Sequence, residues 1–250
     1  MKLPASLLAK PITHRGLHDV TDGRPENSME AIDAAMDRGY GIEIDLQLSK
    51  DGVAMVFHDY HLARLTAESG PVAMRTASEL SAIPLTGGKA GIPTFAEILA
   101  RVAGKVPLLI EMKDQDGAMG ENVGVLERAA AAELAEYNGD VAVMSFNPHA
   151  VIAFGDAAPT IPRGLVTSGF DYESWAPLPA DVCDHLRGIP DYDRTGGCFI
   201  SHEGPDLTRP RVSELKAAGA NVLCWTIKSH EQEAEARKIA DNVTFEGYLA

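Results

Sequence analysis

Residues 41–59 read GIEIDLQLSKDGVAMVFHD, and this stretch decides the fold. Two apolar, β-prone runs flank Lys50-Asp51-Gly52, which is typical of a hairpin whose glycine takes a turn conformation that other residues resist. A turn centred on Lys50-Asp51 would place Glu43 opposite His58. A turn centred on Asp51-Gly52 would place Asp45 opposite His58. Either register puts two carboxylates and an imidazole on neighbouring strands, which predicts a cation site beside a proton-transfer group. Acids and histidines are also ordinary on a solvated hairpin face, so this stretch alone leaves both interpretations open.

On both sides of the hairpin, β-prone runs alternate with segments of helical periodicity. Met29 begins a helical pattern that ends at Gly39, and Thr94 with Glu97 forms a capping box for a helix over residues 95–102. Such alternation predicts a parallel sheet with right-handed crossovers, here an α/β fold of the (β/α)₈ TIM-barrel type. The second hairpin strand, residues 53–57, is surplus to the eight, because a two-residue turn cannot join parallel strands. Besides the hairpin, we expect strands at 12–14, 106–112, 141–145, 164–167, 198–201, 221–227 and 243–245, and further helices at 118–137, 148–154, 209–218 and 230–239.

Two segments lack a clear pattern. Residues 59–89 carry Gly70-Pro71 and Gly87-Gly88 and only one short helical signal, at 77–82. Long stretches of this kind are usually functional, so we expect a single domain over residues 1–250 with an inserted cap at about 59–89, after the second barrel strand. Residues 170–196 are expected to be irregular.

The composition narrows the class of protein. The 250 residues are 45% hydrophobic and 23% charged, which suits one large globular domain. A net charge of −14 disfavours a nucleic-acid partner and attraction to an anionic membrane surface. Three cysteines without C-x-x-C spacing favour a reducing compartment, and no window approaches the roughly 18 apolar residues of a membrane span. We therefore expect a cytoplasmic protein without stable membrane insertion.

Acidic side chains lie in two predicted barrel strands, towards the end where barrel active sites are found. Glu43 and Asp45 belong to the first hairpin strand, and Glu111 ends the strand 106–112. Three acids converging on one barrel end need a cation, because buried charge is costly unless it is paired or metal-bound. Carboxylates without cysteine suit a hard ion, so we expect Ca²⁺ or Mg²⁺.

Basic and imidazole groups occupy the same predicted end. His14 and His58 are candidates for a general acid and a general base. Arg15 and Lys113 are candidates for holding an anion, which we expect to be a phosphate. A metal, two cations and two histidines are what phosphodiester cleavage requires, because charge must be stabilised and protons moved on bridging oxygens. Ser145 follows another strand and is expected to be a hydrogen bonder, not a nucleophile, because the sequence places no base beside it.

Short motifs in the first half of the chain together resemble one known family. The motifs are HRG (14–16), PENS (25–28), the hairpin stretch quoted above, IPTFAEIL (92–99) and IEMK (110–113). From about residue 12 to residue 113 the chain resembles the glycerophosphodiester phosphodiesterase family. LARLT (62–66) and SEL (78–80) look like that family's insertion, and Ser145-Phe146 and Cys224-Trp225-Thr226 carry a thinner likeness later in the chain.

The resemblance implies metal-dependent hydrolysis of a small-molecule glycerophosphodiester to an alcohol and sn-glycerol 3-phosphate, within lipid and glycerol metabolism. It implies a TIM barrel with a small inserted subdomain. Two regions depart from the family pattern: Thr226-Ile227-Lys228 replaces the usual Thr-Val-Asn, and NVTFEGYLA (242–250) stands where a Thr-Asp-bearing segment is common. The implied roles are metal ligation by Glu43, Asp45 and Glu111, acid–base catalysis by His14 and His58, phosphate binding by Arg15 and Lys113, support by Glu26 and Asn27, and a pocket wall at Trp225.

Other functions remain open at this point. A related barrel enzyme of the phospholipase D type, acting on lysophospholipids, would be favoured by an exposed apolar rim in residues 59–89. A non-catalytic phosphodiester-binding protein would need neither His14 nor His58. A metal-assisted enolising enzyme would need a lysine inside a strand, and none is apparent.

Overall fold

The computed structural model describes all 250 residues, and its eight parallel strands close into a barrel with helices between them. The strands are β1 Ile12–Thr13, β2 Gly41–Leu48, β3 Ala54–Val56, β4 Leu108–Met112, β5 Val141–Ser145, β6 Arg163–Thr167, β7 Phe199–Glu203, β8 Asn221–Ile227 and β9 Asn242–Phe245. Their order is β1-β9-β8-β7-β6-β5-β4-β2-β3, and β1 also pairs with β2, which closes the barrel. The surplus strand is β3, which runs antiparallel to β2. The predicted TIM-barrel fold is confirmed.

The helices begin where the capping signals place them. Ser28 Oγ accepts the Ala31 N–H, and the chain leaves that helix through Gly39 in the left-handed region. Thr94 and Glu97 form the expected capping box. No helix is both long and apolar enough to cross a membrane. The helices are α1 Ser6–Ala9, α2 Met29–Arg38, α3 Ala77–Ser81, α4 Phe95–Val102, α5 Val125–Leu134, α6 Pro148–Ala157, α7 Ala180–Arg187, α8 Tyr192–Thr195, α9 Pro210–Ala217 and α10 His230–Ala236.

Two helix predictions were wrong. The helix expected from residue 118 begins only at Val125, because Asp114 and Asp116 accept backbone N–H groups of residues 116–122 and hold them in a loop. The region 170–196, expected to be irregular, contains α7 and α8. Cys183 and Leu186, one helical turn apart, are buried against Phe170, which supplies the apolar face that α7 needs.

Neither predicted hairpin register is correct. Leu46 pairs with Val56, and the loop has three residues, Lys50 to Gly52, with Gly52 at φ +84°. A three-residue loop with a left-handed glycine is a common alternative to the two-residue turns that the sequence suggested. The Phe57 N–H donates to the Asp45 carbonyl (3.0 Å), so His58 lies beyond the paired residues, at a bend in the chain.

The barrel interior is apolar towards the amino ends of the strands. Leu109, Phe199 and Leu223 pack there with Leu3 and Leu7 from the segment that carries α1. Asn242, at the start of β9, donates to the Leu7 carbonyl (2.7 Å) and joins α1 to that end. The carboxyl ends of the strands remain for polar side chains, as in other barrels of this type.

The chain between β3 and α4 carries α3 and two short 3₁₀ turns. It builds a small core in which Leu62, Val72 and Leu80 pack against Phe57. This packing ties the segment to the end of the hairpin, directly after His58. The role of residues 59–89 as a cap stays a prediction.

Candidate active site

Three buried carboxylates meet at the carboxyl end of the barrel. Glu43 and Asp45 lie on β2, and Glu111 lies on β4, where it pairs with Asp45 in the sheet. One oxygen from each lies within 4.8 Å of the others. An all-oxygen donor set of this kind suits a hard divalent cation, so the residues present fit the predicted metal.

Lys113 supplies positive charge inside this cluster. Its Nζ lies 2.8 Å from Asp45 Oδ1 and 2.5 Å from Glu111 Oε1. Burial would raise the pKa of Asp45, but Lys113, His58 and Arg15 hold that pKa well below its usual range. Burial, Asp45 and Glu111 all raise the pKa of Glu43. Asp45 and Glu43 are therefore electrostatically unequal, and Glu43 lacks the cationic compensation that Asp45 has.

Arg15 reaches the cluster from the loop after β1. Its backbone N–H donates to Glu43 Oε2 (2.9 Å), and its Nη1 donates to Glu26 Oε1 (2.7 Å). Its Nε is buried without a hydrogen-bond partner, with Asp45 Oδ2 3.4 Å away. A buried donor without a partner at a pocket wall is suited to an anionic ligand.

The loop that carries Arg15 is held in an unusual backbone conformation. Arg15 (φ +55°) and Asn27 (φ +58°) both lie in the left-handed region, and the Asn27 N–H donates to the Arg15 carbonyl (2.9 Å). The Asn27 amide also donates to Asp45 Oδ2 (2.9 Å). Next to Arg15, Gly16 runs so close to α2 that a Cβ would lie 2.9 Å from Ala31. These contacts connect Arg15, the candidate phosphate-binding residue, to Asp45, a candidate metal ligand.

Each of the two candidate histidines has a carboxylate beside its Nδ1. His14 Nδ1 lies 2.5 Å from Glu246 Oε2, and His58 Nδ1 lies 2.6 Å from Asp59 Oδ1. Burial lowers the pKa of His14, and the bond to Glu246 opposes that shift. A carboxylate on one ring nitrogen sets the tautomer and leaves the other nitrogen for chemistry.

Arg64 links both sides of the site from the inserted segment. Its guanidinium donates to both oxygens of Asp59 (2.7 Å each) and to both oxygens of Glu26 (2.8 Å each). Asp59 contacts His58, and Glu26 contacts Arg15. Arg64 therefore supports both a candidate catalytic histidine and the candidate phosphate-binding arginine.

The pocket between these groups has a volume of about 90 Å³. Phe146 and Trp225 form an aromatic wall, with ring centroids 5.6 Å apart, and the Trp225 Nε1–H donates to the Ser201 carbonyl (3.0 Å). Ser145 lies outside the pocket lining and donates to the Met112 carbonyl (2.7 Å).

The structure brings all ten predicted site residues together. Seven line the pocket: His14, Arg15, Glu43, His58, Glu111, Lys113 and Trp225. Asp45, Glu26 and Asn27 contact members of that set.

Sequence reasoning missed three residues that contact them. Asp59 follows His58 directly, Arg64 lies in the LARLT motif, and Glu246 follows the last strand, β9.

Comparisons with known proteins agree on one family. The model of the glycerophosphoryl diester phosphodiesterase family matches residues 14–242. A glycerophosphodiester phosphodiesterase of Bacillus altitudinis is 27% identical over 90% of this chain and 89% of its own. One from Caldanaerobacter subterraneus subsp. tengcongensis is 32% identical over 66% of this chain and 69% of its own. A solved Oleispira antarctica phosphodiesterase in complex with the product sn-glycerol-3-phosphate has a TM-score of 0.78 and 23% identity, covering 97% of this chain and 94% of its own.

Proposed function

The chain belongs to the glycerophosphoryl diester phosphodiesterase family, and from that membership we propose that it hydrolyses glycerophosphodiesters, with a divalent metal, to an alcohol and sn-glycerol 3-phosphate. One observation carries the proposal: three buried carboxylates and two carboxylate-bound histidines surround a single pocket. The bound product in the Oleispira antarctica relative supports a substrate of this class.

The metal would be held by Glu43, Asp45 and Glu111, and Ca²⁺ and Mg²⁺ both suit oxygen donors. When bound, it supplies positive charge that stabilises the phosphoryl oxygens. Arg15 and Lys113 bind the same oxygens from the protein side, since both side chains line the pocket.

His14 and His58 move the protons. Each donates its Nδ1–H to its carboxylate, and each Nε2 then serves the pocket, one as base and one as acid. Cleavage needs a base that takes a proton from the attacking oxygen and an acid that gives one to the departing oxygen. Two histidines on different loops meet both needs, which favours an enzyme over a non-catalytic binding protein.

The inserted segment, residues 59–89, is proposed to be a cap that shapes substrate choice. Among its large apolar side chains, only Tyr60 (48%) and Met74 (64%) are strongly exposed. Two exposed apolar side chains are too few to form an extended apolar rim, so the segment favours small glycerophosphodiesters over lysophospholipids. The three cysteines are free and buried, which fits a reducing compartment such as the cytoplasm.

The test is a turnover screen of glycerophosphodiesters with different alcohols, each with Ca²⁺, Mg²⁺ or excess chelator. We expect the enzyme to release sn-glycerol 3-phosphate, and we expect excess chelator to abolish this release. The Asp45→Asn variant should not release the product with either ion. Full activity in chelator would refute the metal requirement, and no turnover of any glycerophosphodiester with either ion would refute the function.

A further inference from the structure

The segments that follow strands β8 and β9 meet in space. Lys228 follows β8 and Glu246 follows β9, and Lys228 Nζ lies 2.8 Å from Glu246 Oε1. The other oxygen of this carboxylate, Oε2, contacts His14 Nδ1 (2.5 Å). Lys228 and Glu246 are therefore one connected group, and that group ends on a candidate catalytic histidine.

The sheet fixes this arrangement through its backbone. Strand β9 lies between β8 and β1, so the residues after these three strands are neighbours. The Glu246 N–H donates to the Ile227 carbonyl (3.0 Å), and the His14 N–H donates to the Phe245 carbonyl (2.9 Å). The carboxylate thus stands between the lysine and the histidine, with one oxygen for each.

We propose that Glu246 and Lys228 form a positioning unit for His14, an inference that rests on the proton-transfer role of His14 in the proposed function. Glu246 holds the Nδ1–H tautomer and the ring orientation, so that Nε2 serves the pocket. Lys228 holds the second oxygen and keeps the carboxylate from turning towards His18, whose Nε2 already lies 3.4 Å from Oε2.

The other histidine shows the same construction with different parts. Asp59 contacts His58, and Arg64 holds both oxygens of Asp59 in a planar fork. At His14 the acid is one methylene longer and the cation is a lysine, a point charge on a flexible stem. Lys228 is 62% exposed, so we expect its effect to be smaller than that of Glu246.

The test compares Glu246→Gln, Lys228→Met and the double variant, each with metal, on a glycerophosphodiester. Lys216→Met is the matched control, because Lys216 makes a similar ion pair with Asp241 (2.7 Å) away from the pocket. We expect Glu246→Gln to lower kcat by about 10- to 100-fold, as for carboxylates that orient ligating histidines. Lys228→Met should lower kcat several-fold in the parent and not at all in the Glu246→Gln background.

A pH profile separates positioning from a merely structural role. The charged or titratable groups that face His14 are Arg15, His18, Asp45 and Glu246. The Glu246 carboxylate raises the pKa of His14, so Glu246→Gln should move the limb of the kcat/KM profile that reports His14 to lower pH. Lys216→Met should leave kcat and both limbs unchanged.

Two results would overturn the inference. One is a Glu246→Gln variant with parental kcat and an unmoved limb. The other is a Lys228→Met variant that keeps parental kcat, or that loses the same factor in the parent and in the Glu246→Gln background. Because Lys228 is exposed, the measurement in the parent background stays decisive if Glu246→Gln does not fold. If His14→Ala keeps full activity, the proton-transfer role of His14 fails first, which separates failure of the proposed function from failure of the positioning unit.

Discussion

Asp45→Asn and Glu43→Gln should change stability differently in metal-free protein, although both remove one carboxylate from the same strand. Asp45 lies against Lys113 Nζ (2.8 Å) and Arg15 Nε (3.4 Å), so its loss leaves two buried cations short of a partner. Breaking a buried ion pair costs about 3–5 kcal/mol. For a chain of this size, 1 kcal/mol corresponds to about 2–4 °C, so Tm should fall by roughly 10 °C.

Glu43→Gln should cost little, because burial, Asp45 and Glu111 raise the pKa of Glu43 and disfavour its charge. The glutamine oxygen can still accept the Arg15 N–H, which now donates to Glu43 Oε2 (2.9 Å). Since folding raises this pKa, the native state keeps a proton that the unfolded chain releases above about pH 4.3. In chelator, the parent should therefore lose stability as pH rises from this value through the raised pKa of folded Glu43, and Glu43→Gln should lose less.

Metal should stabilise the parent more than either variant, because each variant lacks one carboxylate of the metal site. A ligand at 100 times its Kd stabilises the native state by about 2.7 kcal/mol, so the parent should gain roughly 5–10 °C in Ca²⁺ or Mg²⁺, and neither variant should gain as much. The assay is thermal unfolding of the three proteins in chelator and in each ion, across a pH series. Equal destabilisation by both substitutions in chelator would refute the electrostatic assignment. A parental Tm that neither ion raises would refute the metal site.

Two further predictions concern the groups around the phosphate. Nitrophenolate leaves without a proton and glycerol alkoxide does not, so one of His14→Ala and His58→Ala should regain much of its roughly 10²–10⁴-fold loss on a nitrophenyl phosphodiester. Equal losses for both variants on both substrates would contradict separate acid and base roles. Arg64→Ala should lower kcat/KM about tenfold, because it frees both Asp59 and Glu26, whereas Arg75→Ala in the same segment should not, since Arg75 pairs only loosely with Glu68 (3.6 Å). Steady-state kinetics decides this, and equal losses for the two arginines would show that Arg64 acts only through folding of the segment.

Local signals in the sequence were sufficient for the barrel. Strand and helix periodicities repeat within a few residues, and capping by Ser28 and by Thr94 with Glu97 depends on neighbours three positions away. Because parallel barrel strands present their carboxyl ends on one face, Glu43 and Glu111 could be placed together without knowledge of the exact register.

Local signals failed where a distant partner competed with them. Residues 118–124 were predicted as the start of a helix, but Asp114 and Asp116 accept backbone N–H groups from this stretch and hold it in a loop. Asn147, on the loop after the next strand, anchors Asp114 (2.8 Å). The position of His58 depends on a three-residue loop and on a bend in the chain. The alternation of apolar and polar residues along the hairpin strands predicts neither feature.

The residues of the candidate site could therefore be identified from the sequence, but the contacts that support them depend on closure of the barrel. Glu246 lies 232 positions from His14, and no spacing rule connects them. They become neighbours only because β9 pairs with β1, which brings the last strand of the chain beside the first. Arg64 reaches Glu26 across 38 positions for a similar reason, because the inserted segment packs back over the hairpin. A contact of this kind depends on the whole chain being folded, since the energy that holds it comes from burial shared among many distant side chains.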